Sequence, residues 1–337
     1  MPCYHPLLAI PAGINNKSGK RAFRIVGYKD SVLNDPYLPD GVIEIPCGKC
    51  IGCRLERSRQ WANRCSLELK YHDSAYFATL TYDDDHVPLV YGNVGEDGDY
   101  CHMSLKKRDL QLWLKRLRRA FPDDHIRFFA CGEYGDQTLR PHYHAILFGL
   151  HLDDLKVKRV DAKGFVYYTS EKFDSTWTSE KKCEGSITPL TQNGMCELTT
   201  VTWNTCAYVA RYITKKLTGP EGQIYKDLGI EPPFLNMSRR PGIGRQYYDD
   251  HPEVFDYEFI NIGTAEGGKK FRPPKYFERL LESDDPERAA ARKAAKQEYA
   301  AARKEAMQAQ TDLDYLSMLA VQEQAHQDRA KKLERKL

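Results

Sequence analysis

Residues 140–149 read Arg-Pro-His-Tyr-His-Ala-Ile-Leu-Phe-Gly, and this stretch decides the fold of the chain. A proline followed by an apolar, aromatic run predicts a buried β-strand that is entered through a turn. Side chains alternate between the two faces of a strand, so His142 and His144 share one face, ~6.6 Å apart at two rises of ~3.3 Å. Two imidazoles on one face bind a divalent metal if a neighbouring segment supplies a third ligand; otherwise they belong to a polar sheet face.

The segment before this strand offers that third ligand. Residues 125–134 form another apolar run, and residues 135–139 are short enough to close a hairpin. Folding back brings Glu133 beside the two histidines, with Asp136 as a second, weaker candidate. We call Glu133, His142 and His144 the triad. One carboxylate and two imidazoles leave coordination positions open for a phosphate oxygen, and this donor set suits Mg²⁺ or Mn²⁺, although zinc would bind it too.

Length and composition allow several classes of protein and disfavour others. With 337 residues, of which 41% are hydrophobic and 29% charged, the chain can form one large domain or two smaller ones. The net charge of +3 does not by itself indicate a nucleic-acid partner. No stretch approaches the ~18 apolar residues of a membrane span, and the first residues do not resemble a signal peptide. We therefore expect a cytosolic protein with no membrane partner.

A cysteine knuckle near the N-terminus predicts a structural zinc site. Its three cysteines are Cys47, Cys50 and Cys53, with two residues, one of them a glycine, between each and the next. Tetrahedral zinc needs a fourth ligand, for which Cys3 is the first candidate and His5 or Cys65 the alternatives. An iron–sulfur cluster of the bacterial ferredoxin type would require another cysteine and a proline soon after Cys53, and neither is there. Unligated, reduced cysteines in a loop remain the plainer interpretation.

The strongest local positive charge lies on a helix predicted over residues 105–121, with Ser104 as its N-cap. Its basic residues are Lys106, Lys107, Arg108, Lys115, Arg116, Arg118 and Arg119. Asp109 is the one acidic residue among them. Such a cluster suits a phosphate-rich partner, and a solvated helix face is an equal alternative.

Two further segments are predicted to be loops from their turn-forming residues. Residues 90–102 are rich in Gly and Asp, and residues 231–244 are rich in Gly, Pro and basic side chains. Arg239 and Arg240 in the second loop are candidates for contact with DNA phosphates. Residues 245–259, with several aromatic side chains, are expected to form a final small β-like element.

A helix that Asn204 or Thr205 can cap carries the second decisive motif. Tyr208 and Tyr212 are four residues apart and Lys215 is three further on, so all three project from one helical face. Two phenols and an amine along one face make an array of candidate nucleophiles. Tyrosines at this spacing serve more often as packing residues, so the motif gains weight only from its context.

The order of these elements predicts an α+β fold with a central antiparallel sheet and flanking helices. We expect a Cys-rich region and a basic helix over residues 1–73, a main domain over 74–280, and a long, charged helical tail over 281–337. Residues 75–82 predict a central strand. An insertion over about 151–200 has short β-like pieces that either read DNA sequence or form a sheet edge.

Three of these motifs together resemble the HUH endonucleases that initiate rolling-circle replication. Residues 77–82 (Phe-Ala-Thr-Leu-Thr-Tyr) resemble the first motif of that family, 141–144 (Pro-His-Tyr-His) its metal motif, and 208–215 the two-tyrosine form of its nucleophile motif. The cysteine knuckle and the Gly-Glu-Tyr-Gly of residues 132–135 make the chain most similar to the initiators of gokushovirus-like microviruses, which are small single-stranded DNA bacteriophages. One departure is Tyr143, which stands where an aliphatic residue is usual and should point away from the metal.

The resemblance implies a ferredoxin- or RRM-like domain that nicks DNA. The triad would hold Mg²⁺ or Mn²⁺ at the scissile phosphate, and Tyr208 or Tyr212 would attack it with Lys215 favouring the phenolate. The products would be a 5′-phosphotyrosine and a free 3′-hydroxyl that primes a polymerase, and the second tyrosine would act in the later rejoining. The implied partners are single-stranded or supercoiled viral origin DNA and the host replication helicase and polymerase, in the cytoplasm of a bacterial host.

Other classes remain open on the sequence alone. A non-catalytic single-stranded nucleic-acid-binding protein would use the aromatic sheet face and the zinc knuckle without metal at His142 and His144. A related HUH transposase or relaxase is the alternative among enzymes, but most tyrosine transposases use one nucleophile where this chain has Tyr208 and Tyr212. A histidine-triad hydrolase is disfavoured because Ile146 stands where a third alternating histidine would be needed.

Overall fold

The computed structural model describes most of the chain. The described residues are 3–14, 21–28, 41–93, 98–135, 137–162, 164–179, 182–183, 186–187, 190–215, 222–264 and 267–334. They belong to two compact units. The central unit is Ser58–Phe277, and the terminal unit combines Met1–Arg57 with Glu278–Leu337. Within the described part, no helix is long and apolar enough to cross a membrane.

The elements are numbered in chain order. The strands are β1 (Leu7–Ile14), β2 (Arg21–Tyr28), β3 (Ile43–Ile45), β4 (Ala75–Thr81), β5 (Leu89–Asn93), β6 (Asp99–Met103), β7 (Arg127–Tyr134), β8 (Pro141–Phe148), β9 (Lys156–Val160), β10 (Val166–Thr169), β11 (Thr178–Ser179), β12 (Lys182–Cys183), β13 (Ser186–Ile187), β14 (Thr191–Gln192), β15 (Cys196–Thr200), β16 (Phe234–Met237), β17 (Ile260–Thr264) and β18 (Gly267–Phe271). The helices are α1 (Ile51–Leu69), α2 (Lys107–Ala120), α3 (Glu171–Asp174), α4 (Trp203–Lys215), α5 (Ile224–Asp227), α6 (Arg245–Asp250), α7 (Lys275–Asp284), α8 (Pro286–Gln308) and α9 (Tyr315–Glu334), with a 3₁₀ turn at Pro252–Phe255.

The central unit is built on one seven-stranded antiparallel sheet. Its strand order is β16-β7-β8-β4-β15-β10-β9, so the strand that carries His142 and His144 lies inside the sheet, next to its middle strand. The predicted α+β class and central antiparallel sheet are therefore confirmed. Strands from the segment 151–200 join this sheet directly, as β9, β10 and β15.

The two faces of the sheet pack against different helices. On one face, Tyr143, Ala145 and Leu147 of β8 pack with the buried stripe of α2 around Trp113 and Leu114. On the other face lie the remaining β8 side chains and the buried residues of α1 and α4. These include Ile146, Phe148, Ala62, Cys65, Cys206, Val209 and Ala210. Because side chains alternate along β8, His142 and His144 share the face covered by the tyrosine-bearing helix α4.

Several sequence predictions of local structure are wrong. Residues 90–102, predicted to be a loop, contain the hairpin of β5 and β6, with Leu89 opposite Met103 and Asn93 opposite Asp99. Gly92 and Asp99, two of the residues that indicated a loop, lie in the paired strands themselves. Residues 231–244 contain β16, which pairs with β7 as an edge strand. The aromatic segment after it forms the short helix α6 before the β17–β18 hairpin.

Both predicted helix caps are also wrong. Ser104 donates its hydroxyl proton to the carbonyl of Leu105, and α2 begins three residues later. The carboxylate of Glu231, remote in sequence, accepts the Lys107 amide at 2.8 Å and so takes the place of a local cap. Helix α4 begins at Trp203, before both predicted caps, and the hydroxyl of Thr202 accepts the amide of Thr205 at 3.2 Å.

The terminal unit contains a small three-stranded sheet of order β2-β1-β3 and the helices of the C-terminal tail. The tail is helical, as predicted, and it forms two helices, α8 and α9; Asp285 caps α8 by accepting the Arg288 amide at 3.0 Å. Leu319 of α9 is fully buried, and it packs with Tyr4 and Cys50. The apolar side of α9 thus packs against the N-terminal segment of the same unit.

Candidate functional site

The register of the β7–β8 hairpin assembles the triad. Glu133 lies directly opposite His142, and His144 follows two residues later on the same face. Nε2 of His142 is 2.7 Å from Oε1 of Glu133, and Nε2 of His144 is 3.2 Å from the same oxygen. One donor atom from each of the three residues lies within 4.8 Å of the others. The hairpin predicted from the sequence therefore brings these three side chains together.

The outer nitrogens of the two histidines are held by other groups. Nδ1 of His142 donates to the carbonyl of Arg140 at 3.1 Å, because a carbonyl oxygen can only accept. Nδ1 of His144 lies 3.0 Å from the hydroxyl of Thr79, which is opposite it on β4. Each ring thus directs Nε2 toward Glu133. Such outer contacts fix the tautomer and orientation of metal-binding histidines.

This arrangement requires positive charge at its centre. With its proton on Nδ1, a neutral His142 presents the lone pair of Nε2 to a carboxylate oxygen, and both atoms are acceptors. In addition, Oε2 of Glu133 is buried and has no hydrogen-bond partner among the described residues. A buried, unpartnered carboxylate oxygen costs about 1–3 kcal/mol or more. An imidazolium proton on Nε2 of His142 would bond Oε1 alone, whereas a bound cation would also offset the burial of Oε2, so the donor set fits a divalent metal ion.

The electrostatics keep Glu133 ready to bind a cation. Burial raises the pKa of the Glu133 carboxyl, but hydrogen bonds from His142 and His144 outweigh it and leave the pKa below its ordinary value. The carboxylate is consequently ionised at neutral pH while only 3% of its side chain is exposed. A buried anion between two imidazoles is a strong ligand for Mg²⁺ or Mn²⁺.

Tyr208 lies beside the triad. Its ring centroid is 5.6 Å from that of His144 and 6.0 Å from that of Phe77, and the Phe77 ring stacks on His144 at 5.4 Å. Tyr208 is 41% exposed, so part of its side chain lies at the surface of the central unit. Tyr212 and Lys215 lie on the same helix, but their side chains are outside the described residues.

Helix α4 is held in place by packing against the sheet and by side-chain hydrogen bonds with α1, among them that of Trp203 Nε1 to Oδ1 of Asn63 at 3.2 Å. Cys206, Val209 and Ala210 are fully buried on the face that contacts the sheet. Ser58 of α1 donates its hydroxyl to the carbonyl of Ala207 at 3.1 Å. These contacts flank Tyr208 in the sequence and therefore fix the position of its backbone over the triad.

Arg140 joins three segments around the entrance to β8. Its guanidinium donates to the carbonyl of Tyr82 at 2.7 Å and forms an ion pair with Asp84, both just after the end of β4. Its own carbonyl accepts the amide of Gly135 at 3.0 Å as well as Nδ1 of His142. No sequence pattern indicated that Arg140, Thr79 and Phe77 contact the triad or its supporting strands, because these contacts depend on the pairing of β4 with β8.

Tyr143, which lies between the two histidines, points to the opposite face of the sheet, as the sequence predicted. Its hydroxyl accepts the Lys106 amide and donates to the Lys106 carbonyl, both at 3.0 Å, and lies 2.9 Å from the hydroxyl of Tyr82. Tyr82 in turn donates to Asp109 of α2 at 2.7 Å. Tyr143 therefore links β8 to the start of α2 through hydrogen bonds.

The four predicted zinc ligands also come together. We call Cys3, Cys47, Cys50 and Cys53 the cysteine cluster; their sulfur atoms all lie within 4.8 Å of one another. The sulfur of Cys47 accepts the amides of Cys50 and Lys49 at 3.3 and 3.4 Å. Burial alone would raise the pKa of the Cys47 thiol, but the hydrogen bonds from these amides outweigh burial and lower that pKa. Burial raises the pKa of the Cys53 thiol to about 11. Four sulfur donors of this kind fit tetrahedral zinc.

The alternative ligands lie elsewhere. His5 pairs with Glu323 of α9 at 2.6 Å, and Cys65 is buried beside Cys206 in the core of the central unit. Asp136, the weaker candidate for the triad, lies outside the described residues. Cys3, the first candidate for the fourth zinc ligand, is consequently the fourth member of the cysteine cluster.

The predicted DNA-binding residues divide into two groups. One group is exposed, and within the described part of the chain no hydrogen bond joins its side chains to the backbone: Lys106, Lys107, Arg108, Lys115, Arg119, Arg239 and Arg240. The other group has structural partners: the half-buried Arg116 donates to the carbonyl of Thr176 at 2.9 Å, and the exposed Arg118 donates to that of Ile126 at 3.3 Å over the ring of Phe128. Burial lowers the pKa of Arg118. These two arginines therefore hold α2 against neighbouring segments of the central unit through hydrogen bonds.

Comparison with known proteins identifies the relatives of this chain. The family model described as replication-associated protein ORF2/G2P matches residues 75–217, a segment that contains the triad and α4. The replication-associated protein ORF2 of Spiroplasma virus 4 is 34% identical over 262 residues, which cover 76% of this chain and 71% of that protein. The replication-associated protein VP4 of Bdellovibrio phage phiMH2K is 30% identical over 251 residues, covering 72% and 69%.

A third relative is the replication-associated protein ORF4 of Chlamydia phage 1, which is 32% identical over 179 residues, 51% of this chain and 38% of that protein. No solved structure matches the chain. The matches agree with the resemblance to phage replication initiators that the motifs indicated. The chain therefore belongs to the family of replication-associated proteins described as ORF2/G2P.

Proposed function

We propose that this protein initiates rolling-circle replication by nicking one strand of viral origin DNA with a tyrosine nucleophile. The observation that carries the proposal is the position of the Tyr208 ring, 5.6 Å from His144 of the triad and partly exposed. A nucleophile next to a three-ligand metal site is the arrangement that metal-assisted phosphoryl transfer requires. Membership of a family of replication-associated proteins supports the same reaction.

In this proposal, the triad holds Mg²⁺ or Mn²⁺, which supplies charge neutralisation at the non-bridging oxygens of the scissile phosphate. Glu133 contributes the anionic ligand, while His142 and His144 contribute neutral nitrogens directed by the contacts at their outer ring atoms. Arg140 keeps the His142 ring aligned through its carbonyl. The zinc ion proposed for the cysteine cluster has a structural role and takes no part in the reaction.

The proposed chemical step is a transesterification. The phenolic oxygen of Tyr208 forms a bond to phosphorus, and the bond between phosphorus and the 3′ oxygen breaks. The phenol loses its proton and the departing 3′ oxygen gains one. One P–O bond forms for the one that breaks, so the step is balanced in atoms and charge. The products are a 5′-phosphotyrosine and a free 3′-hydroxyl that a polymerase can extend.

The second tyrosine closes the cycle. Tyr212 lies four residues after Tyr208 on α4, about 6 Å along the helix axis at ~1.5 Å per residue. It would cleave the regenerated origin while the new 3′-hydroxyl attacks the first phosphotyrosine and rejoins the strand. A phenol with an ordinary pKa of ~10 is mostly protonated at neutral pH, and Lys215 is proposed to favour the phenolate.

The remaining parts of the proposal concern DNA and partners. The exposed basic side chains of α2, together with Arg239 and Arg240, are proposed to contact backbone phosphates of single-stranded or supercoiled origin DNA. The host replication helicase and polymerase would then extend the 3′ end in the cytoplasm of the bacterial host. Arg116 and Arg118 are left out of this contact surface because their guanidinium groups already bind backbone carbonyls.

The test is capture of the covalent intermediate. Labelled single strands that cover the viral origin are incubated with the protein and Mn²⁺, and denaturation-resistant protein–DNA adducts are counted. We expect an adduct with the wild type, none with Tyr208→Phe/Tyr212→Phe together or with His142→Ala, and none with a chelator. Tyr91→Phe, which changes an exposed tyrosine of β5, is the matched control and should form the adduct normally.

The outcome separates the enzyme from a binding protein. If no origin-derived strand forms an adduct, and strands bind equally well with and without chelator, the nicking proposal is wrong and a non-catalytic single-strand-binding role takes its place. An adduct that survives in the double tyrosine variant would assign the nucleophile to another residue and would also overturn the proposal.

A further inference from the structure

A cavity lies in the central unit beside the β17–β18 hairpin, and neither the triad nor α4 lines it. Its volume is about 430 Å³, within the range of ~300–1,000 Å³ that small-molecule sites occupy. Its lining is unusually aromatic, with the rings of Tyr247, Tyr257 and Phe259 and the imidazole of His251. Asn261 and Lys270 supply polar groups on the same lining.

The hairpin presents its two faces to different surroundings. Ile260, Ile262 and Phe271 are buried on one face, where they support the hairpin. Asn261 and Lys270 are directly opposite each other across the two strands, so their side chains emerge together on the other face. The cavity therefore has an amide and an ammonium group at fixed positions on a supported scaffold.

Tyr257 is the ring at this cavity that is available to a ligand. It is 67% exposed, and within the described part of the chain neither an aromatic ring nor a cation contacts it. Tyr247, in contrast, is stacked between His251 at 4.1 Å and Phe277 at 6.4 Å, so both of its faces are occupied. An exposed, unstacked ring at the rim of a cavity is suited to stacking a flat aromatic ligand.

The charges at the cavity favour an anionic ligand. Its two carboxylates are already paired, Glu253 with His251 at 2.8 Å and Glu258 with Arg272 at 2.5 Å. Lys270 lies 4.2 Å from the centroid of Phe259, and in the described part of the chain no carboxylate neutralises it. A ligand with a flat ring and a phosphate matches both the exposed ring and the free ammonium group.

The same hairpin leads to the helix that carries the proposed nucleophile. Lys269, the neighbour of Lys270, places its ammonium 5.3 Å from the ring of Trp203. Trp203 is the first residue of α4, and Tyr208 follows five residues later, ~7.5 Å along the helix axis. The β17–β18 hairpin, whose other face lines the cavity, therefore contacts the first residue of the helix that carries Tyr208.

We propose that this cavity binds one unpaired nucleotide of the DNA strand that Tyr208 attacks, an inference that rests on the proposed function for the identity of the strand. The base stacks on Tyr257 with its edge toward Asn261, and its phosphate lies near Lys270. Stacking of bases on aromatic side chains is tolerant of sequence, because every base has a flat face. The cavity thus holds single-stranded DNA at a fixed distance from the nucleophile.

The test measures binding of a fluorescein-labelled oligothymidylate by anisotropy in the presence of EDTA, so that no nicking occurs. Tyr257→Ala is expected to raise the Kd roughly 5- to 100-fold, the range found for removal of a stacking ring. Tyr257→Phe keeps the ring and should bind like the wild type. Tyr91→Ala, which removes a ring that is 73% exposed on β5, is the matched control and should also bind normally.

A second strand distinguishes the base from the backbone. An oligomer of the same length built from abasic sugar phosphates should bind equally to the wild type and to Tyr257→Ala, because it has no bases to stack. Lys270→Gln should weaken binding of both strands and reduce the slope of log Kd against log salt by about one.

Two results would overturn the inference. Unchanged oligothymidylate binding by Tyr257→Ala would show that no base stacks there, and an equal loss on the abasic strand would assign the contact to the backbone. Failure of the proposed nicking is a separate result. If no strand forms a covalent adduct while Tyr257→Ala still weakens oligothymidylate binding selectively, the cavity binds DNA and the nuclease proposal alone is lost.

Discussion

The triad and the cysteine cluster are two sets of candidate metal ligands held by different kinds of structure. Glu133, His142 and His144 project from two hydrogen-bonded strands inside a seven-stranded sheet, so their spacing is set by strand register. The cysteine cluster joins Cys3 to residues 47–53, at the start of α1, through sulfur–amide contacts. Strand register therefore positions the first set, whereas contacts between two segments far apart in the sequence position the second.

The two sets also differ in the room they leave for a substrate. The cysteine cluster has four sulfur donors, which complete a tetrahedral zinc site. Tyr4 and Leu319 pack against it and are buried. The triad has three donors and a partly exposed tyrosine beside it. The triad, with three donors and a neighbouring tyrosine, is thus suited to catalysis, whereas the cysteine cluster, with four donors and buried neighbours, is suited to a structural role.

The largest effect is expected from removal of the metal from the cysteine cluster. Structural zinc contributes an apparent binding free energy of about 10–16 kcal/mol in small domains, so Cys50→Ala should abolish zinc binding and unfold the contacts of α9 with the N-terminal segment. Zinc content by mass spectrometry and limited proteolysis of α9 measure this. Cys206→Ala, a buried cysteine outside the cluster, should retain the zinc. Full protection of α9 in metal-free Cys50→Ala would show that the segments need no metal.

The next effect is expected from loss of a triad ligand. Glu133→Gln should reduce adduct formation by at least ~100-fold, because it removes the anionic ligand. Its thermal midpoint should stay near that of the wild type, since the substitution neutralises a buried oxygen that lacks a partner. Adduct yield on denaturing gels and calorimetry measure the two quantities. A large loss of stability with normal adduct yield would reverse the roles assigned to the triad and the cysteine cluster.

A smaller effect should follow from changes at Arg140. Arg140→Lys removes the guanidinium group that binds both the Tyr82 carbonyl and Asp84. The backbone carbonyl of residue 140, which accepts Nδ1 of His142, is then held less firmly. We expect the Mn²⁺ affinity to fall about 10-fold, as for other residues that orient metal ligands. Titration calorimetry with Mn²⁺ measures this without any nicking. Arg159→Lys, which changes an exposed arginine paired with Glu197, should leave the affinity unaltered. An unaltered affinity in Arg140→Lys would mean that Arg140 does not position the ligand.

The smallest effect concerns Glu68, which supports the start of β7. Glu68 pairs with Arg127 and accepts the Gly244 amide at 2.6 Å. Burial raises the pKa of Glu68, but bonds from His72, Arg127 and Gly244 outweigh it, so the folded pKa lies below the ordinary value. The resulting stability is therefore present above the unfolded pKa of ~4.3 and is lost as pH falls through the folded pKa.

Glu68→Gln should accordingly lower the free energy of unfolding by about 1–2 kcal/mol at neutral pH. The difference from the wild type should shrink as the solution is acidified through the folded pKa. Denaturant titrations at several pH values measure it, and Glu253→Gln, which changes an exposed carboxylate, is the control. A difference that is constant with pH would mean that the charge of Glu68 contributes nothing to stability.

The sequence predicted those features that depend on nearby residues. His142 and His144 share a face because of strand alternation, and Glu133 meets them because the intervening loop is short. The α+β class and the two helices of the tail followed from the same local patterns. The sequence could not predict the Thr79 contact with His144, because it depends on the register between β4 and β8, which are far apart in the chain.

The errors have the same physical origin. Ser104 is a good N-cap by type, yet the Lys107 amide is bound by Glu231, which arrives from a segment more than a hundred residues later. The stretch that contains β16 looked like a loop because of its Gly and Pro residues, but β7 offers it a sheet edge. Long-range pairing overrides local preference in both cases.

The most direct test of the central claim is to map the covalent link between the protein and origin DNA. Trypsin cuts after Arg211 and so separates Tyr208, in residues 183–211, from Tyr212, in residues 212–215. After reaction with Mn²⁺ and nuclease digestion, the account predicts a nucleotide phosphate on Tyr208 or Tyr212, with none when the metal is chelated. A nucleotide on any other residue, or an adduct that forms equally well in chelator, would contradict it.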